Sequence, residues 1–555
     1  MAGGTWVDQN KLRPGVYINY KSAPSTLATM GERGVVAIAR VLDWGERGRF
    51  YTIADPSDCE QFGHAITDDK CLFIRQILLG TNRTQGASKI MLWSLATPTG
   101  AAAAASGTLK TSDEQTSGPT VTAVQAGSAA NAWTVEAGKS GNTIAITVKN
   151  GADTVATGNA LITGSAIPTS TLNAIESLQS YVEFSGNSLP SAVGDTMTMS
   201  CQLSGGQDAG AQKATATLGN LVATAKYYGT FGNRLSVVIT AGEGANFIVQ
   251  TLLDGQAVDS QVVSAISGLV ANDYVEWSGT GALAVNTGVS LAGGTDGEAG
   301  LTNYSAFLDA LEVEQFNILI YDGSNATIKE AYVSFVKRLS NNEGAKCQCV
   351  VSNMSPNPDN ECVINCYPQS LTLSDGSVLE PEQMTWWVGG AEAGANVNES
   401  LTYARYPGAV DFSPKLSSLA QDASITAGQI AFITNKGNVQ LLTDINSFRT
   451  YAVEKGKAFS KNRVVRTVFG LCNDIYDVFS NYYIGSVSND EEGRKSLKGE
   501  ILGLMNRYQG IRALQNVVAD DVTVLKGVDS DAVVIEIYCQ PVDSIEKIYV
   551  NITIS

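Results

Sequence analysis

Residues 119–300 are poor in charge, rich in Thr, Ser, Gly and Val, and repeat themselves. "AGKSGNTIAITV" (137–148) aligns with "YGTFGNRLSVVI" (228–239), "SYVEFSGN" (180–187) with "DYVEWSGT" (273–280), and "LSGGQDAG" (203–210) with "LAGGTDGEAG" (291–300). The three spacings are nearly equal, roughly 90 residues, so the copies run in the same order and register. That pattern predicts two tandem modules of one fold, 119–212 and 213–300, split near residue 212. Each contains short alternating strands, the period-two mark of a half-buried sheet, and one amphipathic stretch such as "TLNAIESLQS". Two copies are too few for a solenoid, which needs stacked neighbours to bury its core.

The flanks read differently. With 555 residues the chain exceeds one core, and three or four domains are expected. In 26–98, "GVVAIARVLDWG" is a strand, "CLFIRQILLG" a helix and "KIMLWSLA" a buried strand. Residues 99–118, "TGAAAAASGTLKTSDEQTSG", read as a linker. In 301–410, "LTNYSAFLDALEVEQ" is a helix capped by Thr302 or Asn303, "FNILIYDG" a strand, "NATIKEAYVSFVKRLSNNEG" a helix ending at Gly344, and "KCQCVVSN" the next strand. Strand, helix and strand at this spacing imply a parallel crossover, with further strands expected from 35–95. Residues 411–540 are helix-rich. Val464, Val468, Ile475 and Phe479 share one stripe, and a second helix opens with a Ser488–Glu491 capping box above an apolar face of Leu497, Ile501, Leu504, Met505 and Tyr508. "DVTVLKG" and "AVVIEIYCQPV" are strands.

Chemistry is sparse. The net charge of −17 argues against nucleic-acid binding, which needs Lys and Arg. No apolar run approaches the roughly 20 residues of a membrane helix, and no signal peptide is read at the N-terminus. Nine cysteines then suggest free thiols in a reducing compartment; Cys347, Cys349, Cys362 and Cys366 lack tight zinc knuckles and read as buried thiols. "GKS" at Gly138–Ser140 fails as a phosphate loop because Trp133 stands where the first glycine must wrap the phosphates. The single histidine, His64, looks like a helix-surface residue, and the carboxylates at Asp490–Glu492 suit a helix N-terminus. No catalytic, metal or cofactor site is expected.

Both ends carry strand patterns. "PGVYINY" sets Val16, Ile18 and Tyr20 against Tyr17 and Asn19. Ile548, Val550, Ile552 and Ile554 alternate with Tyr549, Asn551, Thr553 and Ser555. An apolar strand kept at a terminus needs a designated partner, since an unpaired one is an aggregation hazard. Within an acidic chain, Arg449, Lys455, Lys457, Lys461, Arg463 and Arg466 cluster, opposed only by Glu454: either a solvated helix face or a docking patch for an acidic surface.

The segments "DINSFRTYAVEKGKAFSKNRVVRTV", "DIYDVFSNYYIGSVSNDEEGRKSLKGEI" and "QPVDSIEKIYVNITI", with "RPGVYINYKSAP" and "YYGTFGNRLSVVI", resemble the contractile-tail sheath proteins of bacteriophages and phage-tail-like bacteriocins. The resemblance covers roughly 10–98 and 213–555; residues 100–212 look like an extra, duplicated module.

It implies an α+β multidomain fold: an N-terminal arm (1–25), an α/β sheath core (26–98 plus 301–410), the linker (99–118), two tandem inserted β-rich modules, an inner helix-rich C-terminal domain (411–540) and a C-terminal arm strand (541–555). It further implies a non-enzymatic subunit without cofactors, in a virion tail or phage-tail-like particle assembled in the bacterial cytoplasm. Its expected partners are itself, as a helical homopolymer of hexameric rings, the inner tail tube protein, and baseplate and tail terminator proteins, with no nucleic acid and no membrane insertion. Val16, Tyr17, Ile18, Tyr20, Ile548, Tyr549, Val550, Ile552 and Ile554 would be inter-subunit arm residues. Lys455, Lys457, Lys461 and Arg463 would face the tube. The competing reading from the Thr/Ser/Gly-rich modules is a cell-surface adhesive protein; an enzyme with an appended β module is a third.

Overall fold

The computed structural model describes residues 3–4, 16–17, 33–97, 103–112, 116–125, 129–191, 198–205 and 210–554. They divide into two compact units, one of residues 1–36, 73–89 and 315–555, the other of residues 37–72 and 90–314.

The second unit holds the repeat. The first module contributes β1 (Ser106–Thr111), β2 (Ser117–Ala123), β3 (Trp133–Ser140), β4 (Thr143–Asn150), β5 (Asp153–Leu161), β6 (Val182–Ser185) and β7 (Met199–Gln202). They form one sheet in the order β5-β4-β3-β7-β1-β2-β6. The second contributes β8 (Thr215–Leu218), β9 (Leu221–Ala225), β10 (Leu235–Ala241), β11 (Phe247–Leu253), β12 (Gln256–Val263), β13 (Val275–Gly279) and β14 (Asn286–Ser290). Their orders are β12-β11-β10-β14 and β8-β9-β13. A bridge between Thr215 and Ala292 joins the two pieces, as one between Ser106 and Ser204 joins β1 to the residues after β7. The two modules therefore share one strand order. Each has its own core, Ala105 to Leu203 in the first and Ala214 to Leu291, joined by Trp44, in the second.

The repeat is thus present, but one of its three alignments slips by a strand. "SYVEFSGN" and "DYVEWSGT" lie on the matching β6 and β13. "AGKSGNTIAITV" instead sets β4 against β10, whose true counterpart is β3. Gly141-Asn142 is the two-residue turn between β3 and β4, whereas Gly232-Asn233 lies in the 3-10 helix Thr230–Arg234 before β10. The shared dipeptide serves two different backbones. The linker reading of 99–118 is also corrected: β1 falls inside it, and Leu109 is fully buried in the first core. Small Thr and Ser side chains suit a strand as readily as a loop when their neighbours are apolar.

In the first unit, the strands Ile318–Ile320, Gln348–Ser352, Val363–Cys366 and Gln429–Ile430 pair in parallel in that order. The first three are buried at every residue, as parallel strands covered on both faces are. The helix Ala326–Arg338 makes the expected crossover; Asn325 caps it by accepting from the Ile328 amide, and its continuation ends at Gly344, which takes a left-handed φ of 82°. The helix Met384–Gly394 is buried almost all round. Trp387 on it stacks on Tyr406 at 4.3 Å and donates its indole N–H to Gly80 O at 2.6 Å. Gly390 lets the helix approach the chain closely, since a Cβ there would sit 2.0 Å from Ile77 O. We expect Gly390→Ala to cost about 1–3 kcal/mol through overpacking, read as a lowered unfolding midpoint; a wild-type midpoint would contradict that packing.

The C-terminal part of this unit carries the helices Ser418–Thr426, Asn462–Val478 and Glu491–Gly510 and the hairpin Val522–Lys526/Val533–Ile537. Leu497, Ile501, Leu504, Met505 and Tyr508 are the buried face of the last helix, as the periodicity predicts. Two caps move. Asp490, not Ser488, caps this helix by accepting from the Gly493 amide at 2.8 Å. In the second unit Gly300 precedes the helix Leu301–Leu311, and Asn303 reaches back to the Gly300 amide from inside the first turn. Among the described residues no helix is long and apolar enough to cross a membrane.

Candidate functional site

The cysteines and the histidine, for which no catalytic or metal role is expected, lie as follows. Cys347, Cys349, Cys362 and Cys366 are buried free thiols on or beside the parallel strands, and burial pushes each thiol up. No group of three or more His, Cys, Asp or Glu could hold a metal among the described residues.

His64 is not on a helix surface. Gly63, at φ 83°, ends the 3-10 helix Pro56–Phe62 in a left-handed cap and turns His64 inward. Its side chain lies between two carboxylates, Nε2 to Asp43 at 2.7 Å and Nδ1 to Asp68 at 2.9 Å. With a carboxylate facing each nitrogen, the site favours the imidazolium form. Burial alone would lower its pKa; the hydrogen bonds and charges of Asp43 and Asp68 more than reverse this and raise it above the ordinary 6.5. Burial likewise opposes ionisation of Asp43 and Asp68, and His64 and, for Asp68, the Lys70 amide hold both below the ordinary 3.8.

A raised imidazole stabilises fully below its unfolded value, and the gain is lost as pH climbs through the folded value. The depressed carboxylates stabilise above their unfolded value and lose the gain as pH falls through their folded values. The stabilisation from this cluster should be greatest between about pH 4 and 6.5. His64→Gln should flatten the decline above that window in thermal melts; an unchanged decline would exclude His64 as its cause.

The arms carry the distinctive geometry. At the N-terminus, Val16–Tyr17 pairs in parallel with Gly3–Gly4, while Ile18 and Tyr20 lie outside the described residues. Arg33 donates to Asp474 Oδ2 at 2.9 Å and to Tyr508 Oη at 2.5 Å, and Tyr508 donates to the same Asp474 oxygen at 2.6 Å. At the C-terminus, backbone bonds run from Gln515 N to Gln540 O and from Val542 N to Ala513 O. The Glu546 carboxylate then takes an ion pair from Lys461 and a hydrogen bond from Thr402 Oγ1 at 2.7 Å. Beyond it the tethering stops. Ile548, Tyr549, Val550, Ile552 and Ile554 are 77%, 90%, 70%, 83% and 91% exposed, and residues 547–554 form no strand. The alternating pattern is in the sequence; a ladder partner is not in the described part of this chain. The hairpin Val522–Lys526/Val533–Ile537 is a two-stranded sheet, and Leu525, Val533 and Val534 on it are exposed.

The basic cluster does not form one free patch. Lys455 pairs with Glu361, and Lys461 with Glu546. Arg466 lies mostly buried between Glu392 and Asp444. Burial lowers the Arg463 guanidinium, with Asp543, Asp444 and Glu546 opposing. Lys457 is exposed. Sequence reasoning counted these charges along the chain and missed their partners, of which Glu361 and Glu546 are remote in sequence. Glu546 itself carried a faint signal: a charge set among the apolar residues that lead into a strand pattern.

Three family models match the chain: the phage tail sheath protein beta-sandwich domain over residues 207–296, the central domain over 297–447 and the C-terminal domain over 454–555. A crystal structure of a sheath tail protein from Desulfitobacterium hafniense is 32% identical and superposes with a TM-score of 0.68, covering 97% of this chain and 99% of that one. The chain belongs to the phage tail sheath protein family. Two Bacillus subtilis proteins are also similar, YqbK at 34% identity and the phage-like element PBSX protein XkdK at 32%; each match covers 60% of this chain and 77% of the relative. The sheath family is structural and non-enzymatic, and its members are parts of a phage tail or phage-like particle. The second β module is the matched sandwich domain; the first lies outside all three matched ranges.

Proposed function

We propose that this sheath subunit polymerises helically, as stacked hexameric rings, around an inner tail tube, and that its arms are the links between copies. The carrying observation is the exposure of residues 547–554 beyond a tethered root. The segment completes itself by adding as a strand to a neighbour's sheet, and the open hairpin Val522–Lys526/Val533–Ile537 is the receiving edge. Four or five new backbone bonds at about 1 kcal/mol each, and three or four aliphatic side chains at about 1.5–3 kcal/mol each, drive the addition. Ordering the arm offsets much of that gain, so each link is modest and the helical array multiplies it.

The extended sleeve is metastable. A baseplate signal releases it, subunits move into a shorter, wider lattice while the arms hold, and the stored free energy drives the tube through a bacterial envelope. No nucleotide or cofactor is needed. The helix-rich region 411–540 faces the tube, with Lys457 the exposed member of the basic cluster there. The tail terminator closes the far end of the sleeve.

Electron microscopy of the purified protein at raised concentration tests this reading: sleeves or polysheaths are expected, and a persistent monomer under all assembly conditions would refute it.

A further inference from the structure

Arg33, the first described residue after the N-terminal arm, and Glu546, at the root of the C-terminal one, both meet the same helix. Arg33 meets Asp474 within the helix Asn462–Val478, and Tyr508 of the following helix completes the contact. Glu546 meets Lys461, which is the N-cap residue of that helix. The two anchor points stand about 20 Å apart along its axis at 1.5 Å per residue. The helix leaves room for the first: a Cβ on Gly470 would fall 2.3 Å from an Arg33 guanidinium nitrogen, so a side chain there would push the guanidinium from its present place beside Asp474. The second is closed by Thr402, whose hydroxyl donates to Glu546 and accepts from the Asp444 amide at 2.9 Å. Asp474 is almost fully buried and Lys461 and Glu546 are mostly so, which sets these contacts apart from freely solvated surface pairs. Burial also changes at this point: Val542, Ser544 and Glu546 are partly covered, and every described residue after Glu546 is exposed.

We infer that the helix Asn462–Val478 is the common strut of the two arms, with Arg33–Asp474 and Lys461–Glu546 as the pins that fix where each arm leaves the subunit. This rests on the reading that the arms link copies, and adds that a pull on either arm is delivered to one rigid helix. The pins are positioning contacts: they do not join subunits themselves but set the exit of the segments that do. Cut free at Glu546, the C-terminal arm would swing from Val542, and its strand register on the neighbour would no longer be set.

Hydrogen exchange on the unassembled subunit, paired with sheath yield by electron microscopy, tests the inference. Glu546→Lys and Lys461→Glu should each speed exchange at residues 541–546 at least tenfold and lower sheath yield at least fivefold. The double charge reversal should bring both back to within twofold of wild type. Arg33→Ala and Gly470→Ala should do the same at residues 33–36 while leaving 541–546 unchanged. Unchanged exchange in the single variants, failure of the double reversal to restore it, or wild-type sheath yield despite a loosened root would each overturn the inference. A chain lacking residues 547–555 separates the two levels. It should fail to assemble with its root still protected, and normal assembly would instead remove the arm-linking reading itself.

Discussion

A subunit truncated after Glu546 folds, keeps its helices and stays monomeric. Loss of assembly should be complete, because each copy loses every backbone bond and aliphatic contact that residues 547–555 would place on a neighbour. The rest of the molecule should not notice: Ile548, Tyr549, Val550, Ile552 and Ile554 are largely exposed in the single chain, so their removal withdraws little from any core. Unchanged circular dichroism and thermal midpoint, together with absence of sleeves at concentrations where the full chain forms them, is the expected pair of results. The complementary defect, a charge or proline on the receiving hairpin at Val534, should block assembly equally, because a missing donor strand and a spoiled acceptor edge break the same ladder.

The second large effect lies in the buried cluster beside the arm roots. Arg466 donates to Glu399 O at 2.8 Å, pairs with Glu392 and lies 3.8 Å from Asp444. The other Glu392 oxygen accepts from Asn462 at 2.9 Å, and Asp444 accepts from the Leu401 amide at 2.9 Å. Both carboxylates are buried, and burial with the nearby Asp444 charge pushes Glu392 up even against Arg466. Arg466→Ala leaves two acidic groups buried without their cation. Breaking such a cluster costs about 3–5 kcal/mol, a large share of the roughly 5–15 kcal/mol that holds a domain folded. Exchange protection along Asn462–Val478 should fall accordingly. It should recover in part on acidification, because burial already raises Glu392 and, without Arg466, it binds its proton more tightly in the folded state than in the unfolded one. Protection as in wild type at neutral pH would show that the cluster contributes nothing.

Much of this architecture is readable from residue patterns where the controlling interactions are local. The face Leu497, Ile501, Leu504, Met505 and Tyr508 follows from helical spacing alone, and Ile318–Ile320 and Gln348–Ser352 from short apolar runs around a capped helix. Alternation at Ile548–Ile554 states that a partner is required without saying which. Pattern alone does not reach the places where backbone conformation or distant neighbours decide. One glycine, Gly63, carries His64 off the helix surface and into a carboxylate pair. Gly-Asn stands in a hairpin turn in one module and a 3-10 helix in the other, which shifted the alignment by a strand. Lys461 looked like a surface charge because Glu546, which neutralises it, is far away in sequence. Arg33, Asp474 and Glu546 belong to no motif; only the fold brings them to one helix.

The most direct test of the central claim is a side-chain-resolution map of the assembled, extended sheath. Ile548, Val550, Ile552 and Ile554 should form a continuous ladder against the Val522–Ile537 hairpin of an adjacent copy, leaving their own subunit at Glu546. A map in which that segment packs on its parent subunit, or remains unpaired in the finished lattice, would contradict it.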